Sequence, residues 1–418
     1  MIAYYPIILN NDCFINNITK INMIFEVSRP KNLPVPNHDE KNISDLALNE
    51  IKQKIKSNDG KISFSKFMHH ALYAPDLGYY SGKSEKFGKS GDFITAAEES
   101  GILGRIIAKQ CSIILNEMPD ASIIEYGPGS GALAVSILKQ LLQMNLKPRA
   151  YYLVDVSEDL IERQKNRILT ELPEIYDSVV WISEIPEGFS GIVIGNEVID
   201  SMPFERFLIS DKRILQFFVA IEEEELVYEL ESANFEIKKY VKQIESKIGK
   251  YLCDGFISEI SFKGRDWINE ISLKLNQGMV ILLDYGTSRS EYYSDDNNKG
   301  WMHCHFKHHK HFEPLIYPGI QDITTWVDFS LISETAKANG MMIDAYLTQA
   351  QFIINNGIED EFLGFESMDI KKQMELTRQI KLLTLPDKMG SNFKCLVMTK
   401  NFLRRDLVNQ TGDKSYVL

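Results

Sequence analysis

No apolar run in the 418-residue chain approaches the ~20 consecutive positions that a membrane-spanning helix needs, so neither a transmembrane helix nor a membrane partner is expected. Basic residues are in deficit as well: 46 Lys and Arg stand against 58 Asp and Glu, for a formal charge of -12. Coating a nucleic acid requires a basic stripe to meet its phosphates, so no nucleic-acid partner is expected either. Cysteine is scarce. Cys13, Cys111, Cys253, Cys304 and Cys395 are odd in number and form no CxxC pair, which argues against a disulfide framework and for a reducing compartment. The opening MIAYYPIILNND has no basic residue ahead of its apolar stretch, no small-residue cleavage site and no Arg, so it reads poorly as a secretory signal or a mitochondrial presequence. Residues 1 to 40 are therefore expected to be a functionally silent extension ending in a Pro-rich linker or mobile arm, RPKNLPVPNHDE (29 to 40). What the chain does contain is 44% hydrophobic and 25% charged residues, the balance of an ordinary globular protein with ample material for a core.

The residues beyond that arm sort into alternating elements. Phe64, Phe67, Met68, Ala71 and Leu72 follow helical spacing, and Ala74-Pro75-Asp76 ends the run. A long glycine-containing loop comes next, from Leu77 to Glu99. Strands are expected at Ala121 to Tyr126, Ala150 to Asp155, Val179 to Ile182 and Gly191 to Gly195, with helices at Gly131 to Met144 and Glu158 to Leu169 between them. Strands that alternate with helices build βαβ units and a mostly parallel sheet covered by helices on both faces, an α/β fold. After Pro203 the pattern changes to antiparallel hairpins, FERFLIS, ILQFFVAI and LVYEL, in which Glu222 to Glu225 reads as a solvated turn. Residues 236 to 275 read as two helices around a short link, Gly278 to Asp284 as a buried strand, and 287 to 327 as irregular chain. Asp328 reads as a helix cap, two helical segments are expected between Gln349 and Leu383, and Phe393 to Lys400 as the last strand.

Chemistry concentrates in IIEYGPGSGALAVSIL (123 to 138), an apolar strand, a turn with Gly127, Gly129 and Gly131, and a helix. Glycines there permit a tight turn and let backbone N–H groups approach a ligand at the helix N-terminus. Gly127, Gly129 and Ala132 also satisfy the dinucleotide pattern, so the turn alone does not choose a cofactor. Asp155 ends the next strand, where a carboxylate can hold ribose hydroxyls in either cofactor class. A dinucleotide brings a pyrophosphate; S-adenosyl-L-methionine brings a sulfonium and an ammonium against one carboxylate, and cations favour acidic neighbours. Glu125, Asn196-Glu197 and Asp200 make the expected rim at the strand ends rich in carboxylates, which favours the methyl donor.

The chain resembles the MidA family of S-adenosylmethionine-dependent methyltransferases from about Ser63 to Lys400. The resemblance is carried by GYY (78 to 80), GDFIT (91 to 95), EYGPGSG (125 to 131), NEVIDSMP (196 to 203), LLDYG (282 to 286), PGIQDITTWVDFS (318 to 330) and KMGSNFK (388 to 394). The chain departs from that pattern at Ala96-Ala97-Glu98, at Gly300-Trp301-Met302 and at Trp326, where the family commonly has His. The resemblance implies a class I methyltransferase, Rossmann-like, with inserted hairpin and helical lobes. It implies S-adenosyl-L-methionine as cofactor, held by Asp92, Phe93, Thr95, Glu125, Gly127, Gly129, Gly131, Asp155 and Asn196, with the Gly78 to Glu99 loop closing over it. Glu197, Asp200 and Asp322 are the expected catalytic carboxylates, with Asp284 a further candidate, because an arginine acceptor stays cationic to a pKa above ~12 and needs carboxylates to orient it. The implied protein substrate is a respiratory complex I subunit or its bacterial counterpart, handled by a monomer or homodimer in a bacterial cytoplasm, or in the mitochondrial matrix if the source is eukaryotic.

The implied organisation runs as extension and linker (1 to 40), N-terminal helical and lid segment (41 to 118), SAM-binding core (119 to 202), inserted lobe (203 to 276), remainder of the core with an acceptor-site loop (277 to 400), and tail (401 to 418). Two alternatives from other classes stay open: an NAD-dependent oxidoreductase using the same turn, and a non-catalytic assembly factor with a vestigial SAM site. His303, His305, His308, His309 and His311 around Cys304 could be read as metal ligands. The expectation is no metal, with the cluster forming a loop near the acceptor site.

Overall fold

The structure, a computed structural model, describes residues 23–25, 29–30, 32–82, 100–402 and 409–418. Seven strands of its central sheet lie in the order Met342–Thr348, Phe393–Lys400, Leu275–Thr287, Phe189–Asn196, Ser122–Tyr126, Tyr151–Val154 and Val179–Ile182. The short strand Val327–Asp328 adds to the end of Leu275–Thr287. All neighbours are parallel except Phe393–Lys400, which runs antiparallel to both strands beside it. Helices cover both faces, so the central strands are apolar on both sides: Ile192, Val193 and Ile194 are all buried, as are Met279 to Leu283. Helices Ile102–Glu117 and Ala132–Gln143 pack on one face, and helices Phe262–Lys274 and Phe329–Ala338 on the other.

The order of strands locates the crevice. From Ser122–Tyr126 the chain steps outward to Tyr151–Val154 and Val179–Ile182, then returns to Phe189–Asn196 on the other side of the first strand. The loops after Tyr126 and Asn196 therefore diverge, and ligands of open α/β sheets bind where strand order reverses in this way.

A second sheet, antiparallel, is built from Met23–Phe25, Glu225–Ser232, Arg213–Glu222, Glu205–Ser210 and Ile257–Ile260, with Lys61–Ser63 paired to Arg213–Glu222. The hairpins expected after Pro203 are present, and Glu223 and Glu224 form their tight turn at φ 47° and 70°. Helices His38–Lys56 and Phe64–Tyr73 cover this sheet with Ile51, Ile55, Phe64, Phe67 and Met68. Arg206 is buried among these side chains, its guanidinium 4.8 Å from the Phe217 ring centroid and its Nε 3.4 Å from Glu259 Oε1.

Several sequence expectations change. The Pro-rich stretch is not a free arm: Leu33 is buried against Phe306 and Ile320, and Asn37 caps the helix that starts at His38. The preceding strand Met23–Phe25 pairs with Tyr228–Leu230, so the first forty residues include part of the second sheet. The link within 236 to 275 contains a strand, Ile257–Ile260, too short and mixed to show periodicity. The stretch 287 to 327 holds a three-stranded sheet of His309–His311, His303–Phe306 and Asp322–Thr324. The edge strand Met342–Thr348 had no clear pattern because its first half is exposed or half-buried. The tail docks on that strand, Lys414 N–H donating to Tyr346 O at 2.9 Å and Asp413 Oδ1 accepting from Tyr346 N–H at 2.7 Å.

Arg206 supplies a test of the second lobe. Arg206→Met leaves the Glu259 carboxyl buried without its cation and should destabilise by about 3–5 kcal/mol in denaturant unfolding. Adding Glu259→Gln should recover most of that loss, since the remaining amide oxygen still accepts from Trp301 N–H, as Glu259 Oε2 does at 2.8 Å. A double variant as unstable as the single one would contradict this.

Candidate active site

The strand Ser122–Tyr126 passes into its helix through Gly127, Gly129 and Gly131 at φ 59°, 54° and 82°, a left-handed path that side chains disfavour. A Cβ on Gly127 would stand 3.2 Å from Val198 Cγ2, so the turn faces the loop that comes after Phe189–Asn196. Asp155 leaves the end of Tyr151–Val154, with Oδ1 accepting from Ser157 N–H at 3.0 Å and Oδ2 accepting from Gln164 Nε2 at 2.7 Å. A carboxylate oxygen accepts more than one hydrogen bond, so ribose hydroxyls can join these partners. Beside it Val156 is 67% exposed and offers an apolar face to an adenine ring. These residues fit S-adenosyl-L-methionine.

Glu125 does not stand on an open rim. Alternation puts it on the face of Ile123, where it is 1% exposed and its Oε2 accepts from the Tyr151 hydroxyl at 2.5 Å. Burial pushes its carboxyl up to about 7, against the pull of the Tyr151 bond. Asp92, Phe93 and Thr95, with the rest of the loop from 83 to 99, lie outside the described residues.

The second half of the crevice is the segment Asn196 to Pro203. Glu197 sits at φ 54° and its N–H donates to Leu283 O at 2.9 Å. Asp284 fastens the backbone just beyond it: Asp284 Oδ2 accepts from Ile199 and Asp200 N–H at 3.0 and 3.3 Å, and its Oδ1 from Tyr285 N–H at 2.9 Å. Asp284 is thus spent on backbone, which accounts for its place in the acidic group better than contact with an acceptor does. Thr325 N–H donates to Asp200 O at 3.1 Å, which brings Thr325 and its strand neighbour Asp322 to the same place. The structure therefore unites Glu197, Asp200, Asp284 and Asp322 from distant parts of the chain.

Tyrosines close the group. The Tyr80 hydroxyl donates to Asp322 Oδ1 at 2.8 Å, the Tyr73 hydroxyl donates to Ser201 O at 3.1 Å, and the two rings stack at 5.4 Å. Tyr285 lies close enough to the Asp200 carboxyl to favour its charged form. Among the described residues Asp200 Oδ1 and Asn196 Oδ1 are buried with no hydrogen-bond partner, Asp200 being 5% exposed. Burial, and then the neighbouring charges of Asp200 and Asp322, push Glu197 up to about 8; burial pushes Asp200 to about 6. Tyr73 also feels the charges of Asp200, Asp322 and Asp155, which raise its hydroxyl further after burial.

Three of the five histidines have local partners, although His311 Nε2 is buried without one among the described residues. His303 Nδ1 lies 3.0 Å from Trp301 O and its Nε2 3.3 Å from Thr324 Oγ1, His309 Nδ1 lies 2.7 Å from Lys307 O, and His311 Nδ1 accepts from Glu313 N–H. Among the described residues no group of three or more His, Cys, Asp or Glu could hold a metal ion. Trp301 and Trp326, two positions where the chain departs from the family pattern, stack on each other at 4.2 Å. Sequence reasoning missed Gln164 and gave no role to Tyr73, Tyr80 or Tyr285; the last two sit inside the GYY and LLDYG matches, whereas Gln164 carries no local signal.

A doubly wound sheet with a glycine turn, a carboxylate at the end of the next strand and an acidic crevice at the switch point is the architecture of a class I methyltransferase. A family model for S-adenosyl-L-methionine-dependent methyltransferases matches residues 102–347, more than half of the chain, and the protein belongs to that family. A Burkholderia thailandensis protein of the COG1565 superfamily, solved with S-adenosyl-homocysteine bound, superposes with a TM-score of 0.86 at 29% identity, covering 93% of this chain and all of that one. The mitochondrial protein arginine methyltransferase NDUFAF7 homolog of Drosophila melanogaster is 24% identical over 391 residues, 86% of this chain and 86% of that protein. NDUFAF7 of Homo sapiens, a mitochondrial protein arginine methyltransferase, is 25% identical over 380 residues, 83% of this chain and 81% of that protein. The protein is an S-adenosyl-L-methionine-dependent methyltransferase, and the oxidoreductase alternative falls. No helix among the described residues is long and apolar enough to cross a membrane.

The raised carboxyls set a pH dependence. Between pH 4.5 and about 7 to 8 the folded chain holds protons on Glu125, Glu313 and Glu197 that the unfolded chain has released, so stability falls as pH rises. Burial holds His303, His305 and His311 down at about 3 to 4, and these act oppositely, raising stability with pH up to 6.5. Above 6.5 the three carboxyls continue to act, opposed by Lys394, which burial lowers to about 8 and which begins to add stability with rising pH only near the top of this interval. The denaturation midpoint of the ligand-free protein should therefore be lower at pH 8 than at pH 6.5, and Glu197→Gln should shrink that drop; a midpoint that rises over this interval would contradict the argument.

Proposed function

We propose that the protein methylates arginine side chains of a protein partner. The observation that carries this reading is the buried, partnerless Asp200 Oδ1 within a group of four carboxyls at the crevice. Crowded carboxyls resist ionisation, and a planar cation with five N–H donors relieves both the repulsion and the missing hydrogen bond. The half-buried rings of Tyr73, Tyr80 and Tyr285 offer the flat apolar surfaces on which a guanidinium stacks. The curated relatives' names as protein arginine methyltransferases support the same acceptor.

S-adenosyl-L-methionine supplies an activated methyl group when bound. Gly127, Gly129 and Gly131 take its methionine end, Asp155 its ribose, and Asn196 the edge between donor and acceptor; Glu125 supports the turn from below. By resemblance Asp92, Phe93 and Thr95 belong to the segment that covers it. An entering guanidinium lowers Glu197 and Asp200 by Coulomb attraction, so that they ionise, aim one nitrogen at the methyl group and accept the proton that nitrogen sheds once methylated. Asp322, held by Tyr80, steadies the far side of the cation. Positioning of this kind accounts for much of the rate of an in-line transfer.

The protein partner, by resemblance, is a respiratory complex I subunit or its bacterial counterpart. The compartment is a bacterial cytoplasm or the mitochondrial matrix, which agrees with the unpaired Cys111, Cys253, Cys304 and Cys395 and with the mitochondrial relatives. Mass spectrometry of proteins from a deletion strain should find one lost methyl-arginine. In the purified enzyme, Asp200→Asn should lower kcat/KM at least ~100-fold while the dissociation constant for S-adenosylhomocysteine stays within about threefold. Glu197→Gln should behave alike, and wild-type transfer by it would remove Glu197 from the mechanism. A protein that binds S-adenosylhomocysteine yet leaves no methyl-arginine on any partner would be the vestigial assembly factor instead.

A further inference from the structure

Gln164 lies on helix Glu158–Glu171 and is fully buried, an unusual place for an amide unless all its hydrogen-bonding groups are met. They are met by three separate elements. Its Oε1 accepts from Trp181 Nε1 at 2.9 Å, while its Nε2 donates to Asp155 Oδ2 at 2.7 Å and to Gly129 O at 2.8 Å. An indole N–H can only donate, so the oxygen must face Trp181 and both amide hydrogens must face the other two partners. The amide cannot flip.

We propose that Gln164 is a positioning residue that couples the two halves of the cofactor site. One of its N–H groups sets the plane of the carboxylate that takes the ribose, and the other holds the turn that takes the methionine end. Gly131, whose added Cβ would meet Gln164 Cγ at 3.5 Å, packs the turn directly on the same side chain. Arg167, three residues further along the helix, donates to Ser130 O at 3.2 Å and braces the turn on the same helical face. The distance between ribose carboxylate and glycine turn is then set by one side chain with a single permitted orientation. Gln164 acts through Asp155 and Gly129, both on the donor side, so its role stands or falls apart from the arginine assignment.

The test is S-adenosylhomocysteine binding by calorimetry on the full chain, with Gln164→Met, Asp155→Asn and the double variant. Gln164→Met keeps the length and loses all three bonds; it should raise the dissociation constant roughly 10- to 50-fold. Because Asp155 is no longer aimed in that background, adding Asp155→Asn should cost less than a third of the factor it costs in the wild-type chain. A merely structural role would leave the two factors to multiply, and that result overturns the proposal. So does a Gln164→Met dissociation constant within threefold of wild type. If Gln164→Met does not fold, Trp181→Phe carries the same cycle: it frees the amide to flip and should weaken binding at least threefold and less than additively with Asp155→Asn, whereas unchanged affinity or plain multiplication refutes the coupling.

Discussion

One buried carboxyl suspends the acidic half of the crevice. Asp284 accepts from the N–H groups of Ile199, Asp200 and Tyr285, and so ties the segment after Asn196 to the end of the strand Leu275–Thr287. Those bonds favour the charged form, while burial and the nearby Asp200 and Glu197 oppose it and push the group well above the usual carboxylate range. Glu197 and Asp284 therefore resist ionisation, for the same cause: burial beside other carboxyls. This electrostatic constraint makes the crevice favourable to a positive charge.

The geometry around that constraint divides labour between two sheets. The parallel sheet supplies the switch point, the glycine turn and Asp155, all of which derive from strand order. The second lobe and the small sheet supply Tyr73, Tyr80 and Asp322, brought to the first sheet by bonds such as Thr325 N–H to Asp200 O. Arg206, between aromatic rings and Glu259, holds the second sheet in one arrangement and reaches, through the Glu259 bond to Trp301 N–H, the stacked pair Trp301 and Trp326. Residues outside the acidic group thus help to shape its surroundings.

Much of the core was legible in the sequence because its inner strands are apolar on both faces and alternate with helices of clear period. Val179–Ile182 and Phe393–Lys400 match the expected bounds, and Asp328 caps its helix as expected, its Oδ1 accepting from Leu331 N–H. The elements missed, Ile257–Ile260, Met342–Thr348 and the sheet around His303, are short or half-exposed and owe their existence to partners far along the chain. Local pattern carries no record of such partners. The same reasoning misplaced Glu125: nearness to the turn suggested a rim, while strand alternation sends its side chain beneath the sheet surface to Tyr151.

The sequence by itself determined the fold class, the glycine turn, Asp155 and the presence of an acidic motif after the fourth parallel strand, because periodicity and turn chemistry are local properties. Only the tertiary structure decided which carboxyls share one buried space, that Asp284 is an anchor, and that Gln164 joins Asp155 to Gly129. Hydrogen bonds between residues dozens to hundreds of positions apart, and the pKa shifts that burial imposes on them, arise only once the chain has closed on itself.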